Sequence, residues 1–189
     1  MQLVCKVVFA LAVIAICWLA MMAVHELGHV VGAIATGGTI ERVVLYPLSI
    51  SQTDVSPNPN PLVVVWLGPI LGCLIPVAIW SLIPTKMSTV KSIVSFFVGF
   101  CLIANGCYIA VGSFFRTGDC DVMLLSGSPF WTLVTFGILT VPVGLWVWHL
   151  MGSPVQFLKK TTAVDSVAVV GCVAVLALIL VLEFWLSPV

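Results

Sequence analysis

Charge is the scarcest property of this 189-residue chain, in which only 7% of the side chains are Asp, Glu, Lys or Arg against about 25% in ordinary globular domains. A water-soluble domain of this size needs a charged surface, and so few charges cannot cover one. Seven basic residues balance seven acidic ones, so no basic excess is left to hold a phosphate backbone, and nucleic acid is excluded as a partner. Thiolate metal chemistry is missing too, because the seven cysteines include no Cys-x-x-Cys pair and suggest no disulfide framework. Cys5, Cys17, Cys73, Cys101, Cys107 and Cys172 lie in or beside apolar stretches, where a thiol acts as a small core hydrophobe. Cys120 alone falls in what reads as a polar loop. No internal repeat or low-complexity tract is present.

What remains is apolar: 61% of residues are hydrophobic and the mean hydropathy is +1.25. About 20 such residues cross a bilayer core, and five stretches meet or approach that length, at 7–34, 61–84, 92–114, 130–150 and 166–186. The pattern predicts an all-α, polytopic integral membrane helix bundle forming one membrane-embedded domain over 1–189, with the lipid bilayer as its first partner. Lys6 and the apolar run after it resemble a signal peptide, but the run continues through Val24 and His25 to Ile34. We therefore expect an uncleaved helix ending near Gly37-Gly38. Between the first two spans, Glu41-Arg42-Val43-Val44-Leu45-Tyr46 is rich in β-branched residues and predicts a short strand or hairpin at the membrane surface. Lys6, Lys86, Lys91, Lys159 and Lys160 then share one side, and Arg42 and Arg116 share the other with Glu41, Asp54, Asp119 and Asp121. The positive-inside rule places the N-terminus in the cytoplasm.

One pattern carries chemistry. His25-Glu26-Leu27-Gly28-His29 is His-Glu-x-x-His inside the first predicted helix, and positions four apart lie on one face, so both imidazoles can share one zinc ion. Glu26 between them is placed as general base for a water that the metal activates, the chemistry of peptide hydrolysis. With three His and three Glu in the chain, chance supplies this pattern in roughly 7 of 10,000 such sequences. A charged group near the bilayer centre costs about 2.5–3.5 kcal/mol, and a cluster that served only to glue helices together would need fewer of them.

Catalytic zinc usually keeps three protein ligands, so a third must come from elsewhere. His149 ends the fourth span on the lysine side, whereas His25 and His29 lie about 28–35 Å along the first helix from Lys6, so His149 reads as interfacial. Asp119 and Asp121 follow a span that starts at Lys91 and finishes on the histidine side. Both are candidates, with Asp119 preferred because Gly118 lets the backbone turn sharply before it. Asn105, the only Asn of the third span, could bind substrate backbone or an oxyanion, or equally join two helices by a hydrogen bond. Gly68, Pro69 and Gly72 suit close helix packing and a helix bend. Glu183 sits beside an interfacial Trp185 near the end of the last span and reads as snorkelling, not catalytic.

These residues resemble the site-2 protease family of intramembrane zinc metalloproteases over roughly 20–129. The resemblance is carried by His25-Glu26-Leu27-Gly28-His29, by the Gly-then-strand exit Gly37-Gly38-Thr39-Ile40-Glu41-Arg42-Val43, and by the Gly-Pro helix Trp66-Leu67-Gly68-Pro69-Ile70-Leu71-Gly72. The aspartate ligand of that family maps onto Asp119, in a Gly-Asp-Cys setting where the family usually has Leu-Asp-Gly, and the family's Asn-x-x-Pro upstream is missing. No PDZ-like or nucleotide-binding appendage is seen, so the resemblance implies a minimal membrane core. It implies Zn2+ held by His25, His29 and Asp119, Glu26 as general base, and a transmembrane protein or peptide as substrate. Such a substrate must unwind to expose its peptide bonds, and an extended segment could pair with the Thr39–Tyr46 strand. Two other functions fit the same residues: a catalytically silent homologue that binds membrane clients, and a small divalent-metal transporter.

Overall fold

A computed structural model describes residues 2–151 and 166–187. Lys159 and Lys160, on which part of the charge argument rests, lie outside the described residues. The chain forms α1 (Gln2–Thr36), the strands β1 (Ile40–Val44) and β2 (Gln52–Val55), then α2 (Pro61–Leu82), α3 (Ser88–Phe115), the short α4 (Asp119–Leu125), α5 (Phe130–Leu150) and α6 (Ser166–Leu186). Among the described residues five helices are long and apolar enough to cross a membrane, and with one small hairpin they form an all-α bundle. This is a membrane protein.

Each long helix begins and ends where local chemistry allows. The last turn of α1 closes through Gly37, at φ 75°, and a Gly38 N–H to Ala33 carbonyl bond of 2.8 Å. Asn60 caps α2 by accepting from the Val63 N–H, with Pro61 at the first helical position, where its missing donor costs nothing. Arg116, at φ 51°, terminates α3. At about 1.5 Å per residue α1 is roughly 52 Å long, well over a hydrocarbon core of about 30 Å.

The polar connection expected between the third and fourth spans contains α4, which a sequence pattern of two turns is too short to reveal. Cys120, expected in a loop, is fully buried in that helix. Its thiol donates to the Ile109 carbonyl at 3.5 Å, and burial pushes it up to about 12, so it stays protonated. With Val65, Ile109, Met123 and Leu133 it forms the core cluster that seats α4 against α2 and α3.

The helices pack where side chains are smallest. Gly28 and Gly32 of α1 face Val64, Leu67 and Gly68 of α2, and a Cβ on Gly28 would strike the Leu67 carbonyl oxygen. On α3 and α5, Gly99 and Gly106 meet Gly144 and Gly137 in the same way. Without a hydrophobic drive between helices in lipid, such close approach is the main source of association. The hairpin is antiparallel, with Arg42 opposite Asp54 and Val43 opposite Thr53. Arg42 and Asp54 pair at 3.0 Å on its exposed face, where an ion pair contributes little.

Helix α6 rests on α1 through Leu176, Ile179 and Leu180 against Leu19, Met21 and Met22. Its end meets the hairpin, with the Leu45 N–H donating to Ser187 Oγ at 2.8 Å and Tyr46 packed edge-on against Phe184. Glu183 differs from expectation. It continues the α1-facing stripe three to four residues after Ile179 and Leu180, so it is only 9% exposed, and its Oε2 has no hydrogen-bond partner among the described residues.

Candidate metal centre

His25 and His29 project one turn apart from the buried face of α1, with ring centroids 4.9 Å apart. Each ring is held from behind. His29 Nδ1 lies 2.9 Å from the Val64 carbonyl oxygen, which can only accept, so Nδ1 carries the proton and Nε2 bears the lone pair. His25 Nδ1 lies 2.6 Å from Asn105 Oδ1. The amide is fixed that way round because Asn105 Nδ2 donates to the Cys101 carbonyl at 2.9 Å, so His25 takes the same tautomer. Both Nε2 lone pairs are therefore turned away from their supports and toward a common point.

Asp119 occupies the third side of that point. Its Oδ2 is 2.8 Å from His25 Nε2 and 3.3 Å from His29 Nε2, and one ligand atom from each residue falls within 4.8 Å of the others. Lone pairs of an imidazole and a carboxylate approach this closely only around a shared cation, either a proton or a metal ion. Burial alone would raise the Asp119 carboxyl, but with a proton as the shared cation the hydrogen bonds from the His25 and His29 rings outweigh it and hold the group below the usual carboxylate range. Two neutral imidazoles and one carboxylate are the donor set of an open, three-ligand divalent site. Hydrogen-bond acceptors behind both rings are the outer support that such ligands need.

Asp119 is positioned by its neighbours. Its N–H donates to Tyr108 Oη at 3.0 Å, and Gly118, at φ 54°, leaves the space that hydroxyl fills, since a Cβ there would collide with it. Asp121, the second candidate ligand, is excluded by the structure. Two residues on in a helix is about 200° around the axis, and Asp121 faces outward to pair with the Arg116 guanidinium at 2.9 Å. His149 is exposed at the end of α5, away from the cluster.

Asn105 is only 1% exposed, with both ends of its amide engaged inside the protein. Of its two expected roles, the helix-to-helix hydrogen bond is the one the structure contains, and the residue also lines the cavity beside His25 and Glu26. Gly68 and Gly72 serve the same cluster: a Cβ on Gly68 would enter the His29 ring, and one on Gly72 would press on the Asn105 amide at 3.0 Å.

Glu26 is 3% exposed. Both of its carboxylate oxygens are met by hydroxyls of the hairpin, Ser51 Oγ donating to Oε1 and Thr53 Oγ1 to Oε2, each at 2.7 Å. A cavity of about 100 Å³ opens beside Glu26, His25 and Asp119, bordered by Met21, Met22, Tyr108 and Ile50. That space holds a few water molecules. Sequence reasoning missed Ser51, Thr53, Tyr108 and the Val64 carbonyl. Only the hydroxyl pair left a signal, since residues two apart in a strand share a face.

Comparison with family models, with curated proteins and with solved structures gives no match. The chemistry of the cluster therefore stands on its own geometry.

Proposed function

We propose that this chain is a zinc-dependent intramembrane endopeptidase, similar in chemistry to the site-2 proteases, that hydrolyses peptide bonds of membrane-embedded polypeptides. The observation that carries this is the tautomer lock: Val64 and Asn105 take the Nδ1 protons of His29 and His25, which leaves two Nε2 lone pairs and the Asp119 carboxylate converging beside a water-sized cavity. Metal-ligating imidazoles almost always donate the far ring N–H in this way, which fixes the tautomer and raises ligand basicity. Zinc suits two imidazoles and one carboxylate, and when bound it lowers the pKa of water and polarises a carbonyl.

The chain's own groups supply the rest. His25, His29 and Asp119 hold the ion, and Glu26, next to His25 in the chain, accepts the proton from the attacking water and delivers it to the leaving amine. The water oxygen bonds to the peptide carbon, the C–N bond breaks, and the products are a carboxylate and an amine. Because a helix hides its peptide bonds, the substrate must unwind, and the hairpin beside the cavity offers a strand edge on which an extended segment could be held. The chain is multi-pass, with its N-terminus in the cytoplasm and the metal site toward the far end of α1.

Glu26→Gln separates this reading from its rivals. In purified protein the variant keeps zinc and loses cleavage of a membrane-spanning peptide by about 10²–10⁴-fold. Cleavage that persists in Glu26→Gln, or zinc uptake into sealed vesicles with no cleavage by wild type, would contradict the peptidase and favour the client-binding or transport function.

A further inference from the structure

Glu26 is the one member of the cluster held by neither a neighbouring helix nor its own. Its partners come from the hairpin, which lies between α1 and α2 in sequence and packs on α1 through both strands. Ser51 immediately precedes β2 and Thr53 lies within it, two residues apart in extended chain, so they share a face. Gln52 and Asp54 take the opposite face, where Gln52 Nε2 and the Arg42 guanidinium both reach Asp54. This alternation aims two hydroxyls at one carboxylate, one to each oxygen and each at 2.7 Å.

Such a fork fixes more than distance. A Glu side chain has three rotatable bonds, and a single hydrogen bond would leave the carboxylate free to swing about it, whereas one donor on each oxygen sets the plane of the group. Each oxygen keeps a second lone pair, so the clamped carboxylate can still accept a proton from the cavity side. A general base must lie within about 2.6–3.2 Å of the proton it takes, and an error of about 1 Å costs on the order of 100-fold in rate.

We propose that Ser51 and Thr53 are the positioning residues of the general base, so that the hairpin is a working part of the active site and not only a connection between spans. The proposal rests on the peptidase reading above for its catalytic consequence, but the clamp itself does not. Ile50, 82% exposed, borders the cavity together with Ser51. The segment that orients Glu26 thus also lines the cavity beside it.

The test uses the full-length, zinc-loaded protein, with a dye- and quencher-labelled membrane-spanning peptide as probe. Ser51→Ala/Thr53→Val is compared with wild type and with the hydroxyl-keeping swap Ser51→Thr/Thr53→Ser. The clamp predicts that the double deletion retains zinc and KM and lowers kcat about 10- to 100-fold, and that the swap recovers most of the loss. Infrared difference spectra, each protein minus its own Glu26→Gln version, report the Glu26 carboxylate stretch directly. That band shifts in the double deletion and returns toward wild type in the swap. Unchanged kcat in a zinc-loaded double deletion, or an unshifted band, overturns the proposal. Should wild type cleave nothing, the peptidase reading falls, and the infrared band alone decides whether the clamp exists.

Discussion

Between Gln2 and Leu11, α1 has no buried residue, and Leu3, Val4 and Leu11 are all more than half exposed. Between Met21 and Ala33 the same helix buries Met21, Met22, His25, Glu26, Gly28, His29, Gly32 and Ala33. Apart from Met21 and Met22, what is buried is small or polar, while Leu27, Val31 and, just beyond, Ile34 face outward. In lipid, burying an aliphatic side chain brings no gain over leaving it among acyl chains, so packing goes to residues that let backbones touch or that need hydrogen-bond partners. One end of α1 is thus an anchor, and the other is a frame built around a polar cluster.

The largest break in this contrast comes from filling the frame. In Gly68→Leu a side chain would enter the space of the His29 ring, and we expect zinc in the purified protein to fall from near one per chain to near none, with a lower unfolding temperature. A smaller effect is expected for Asn105→Ala, which leaves the three proposed ligands in place and removes the acceptor behind His25 together with the amide donor to the Cys101 carbonyl. Zinc affinity, measured by competition with a chelator, should drop about 10–100-fold. At the anchor end, Leu11→Ala removes a side chain that is 62% exposed. Its effect on stability should stay within about 0.5 kcal/mol, with zinc unchanged. An Asn105→Ala affinity equal to wild type, or a Leu11→Ala loss as large as that of Gly68→Leu, would erase the distinction between the two ends.

Acid gives a further measure of the frame. Metal binding requires both imidazoles unprotonated, whereas the Asp119 carboxyl is held below its usual range and stays ionised under mild acid. Zinc release on acidification should therefore come from protons competing for the ligand nitrogens, as read from zinc retention against pH. A release that tracks a single carboxylate would contradict this assignment.

Much of the fold is legible in the sequence because a bilayer imposes a minimum length on every span. The expected 61–84, 130–150 and 166–186 match α2, α5 and α6 to within two residues. Helix α1 begins at Gln2, five residues earlier than expected, and so carries Lys6 within its first two turns. What could not be read was short or tertiary. Helix α4 spans two turns, and Cys120 looked loop-like from its polar neighbours until the fold buried it against Ile109. Gly118 favoured Asp119 over Asp121 in the sequence, but the full divergence of the two side chains in space depends on α4 being a helix at all. The Val64 carbonyl has no side-chain signature whatever, and Asn105 showed its rarity but not its partner.

The central claim is that His25, His29 and Asp119 hold one zinc ion, and X-ray absorption at the zinc edge of the purified protein tests it most directly, with Asp119→Ala measured alongside wild type. The account predicts about one zinc per chain, two imidazole nitrogens and light oxygen neighbours at about 2.0–2.2 Å, and loss of the ion in Asp119→Ala. A sulfur neighbour near about 2.3 Å, or an unchanged zinc environment in Asp119→Ala, would contradict it.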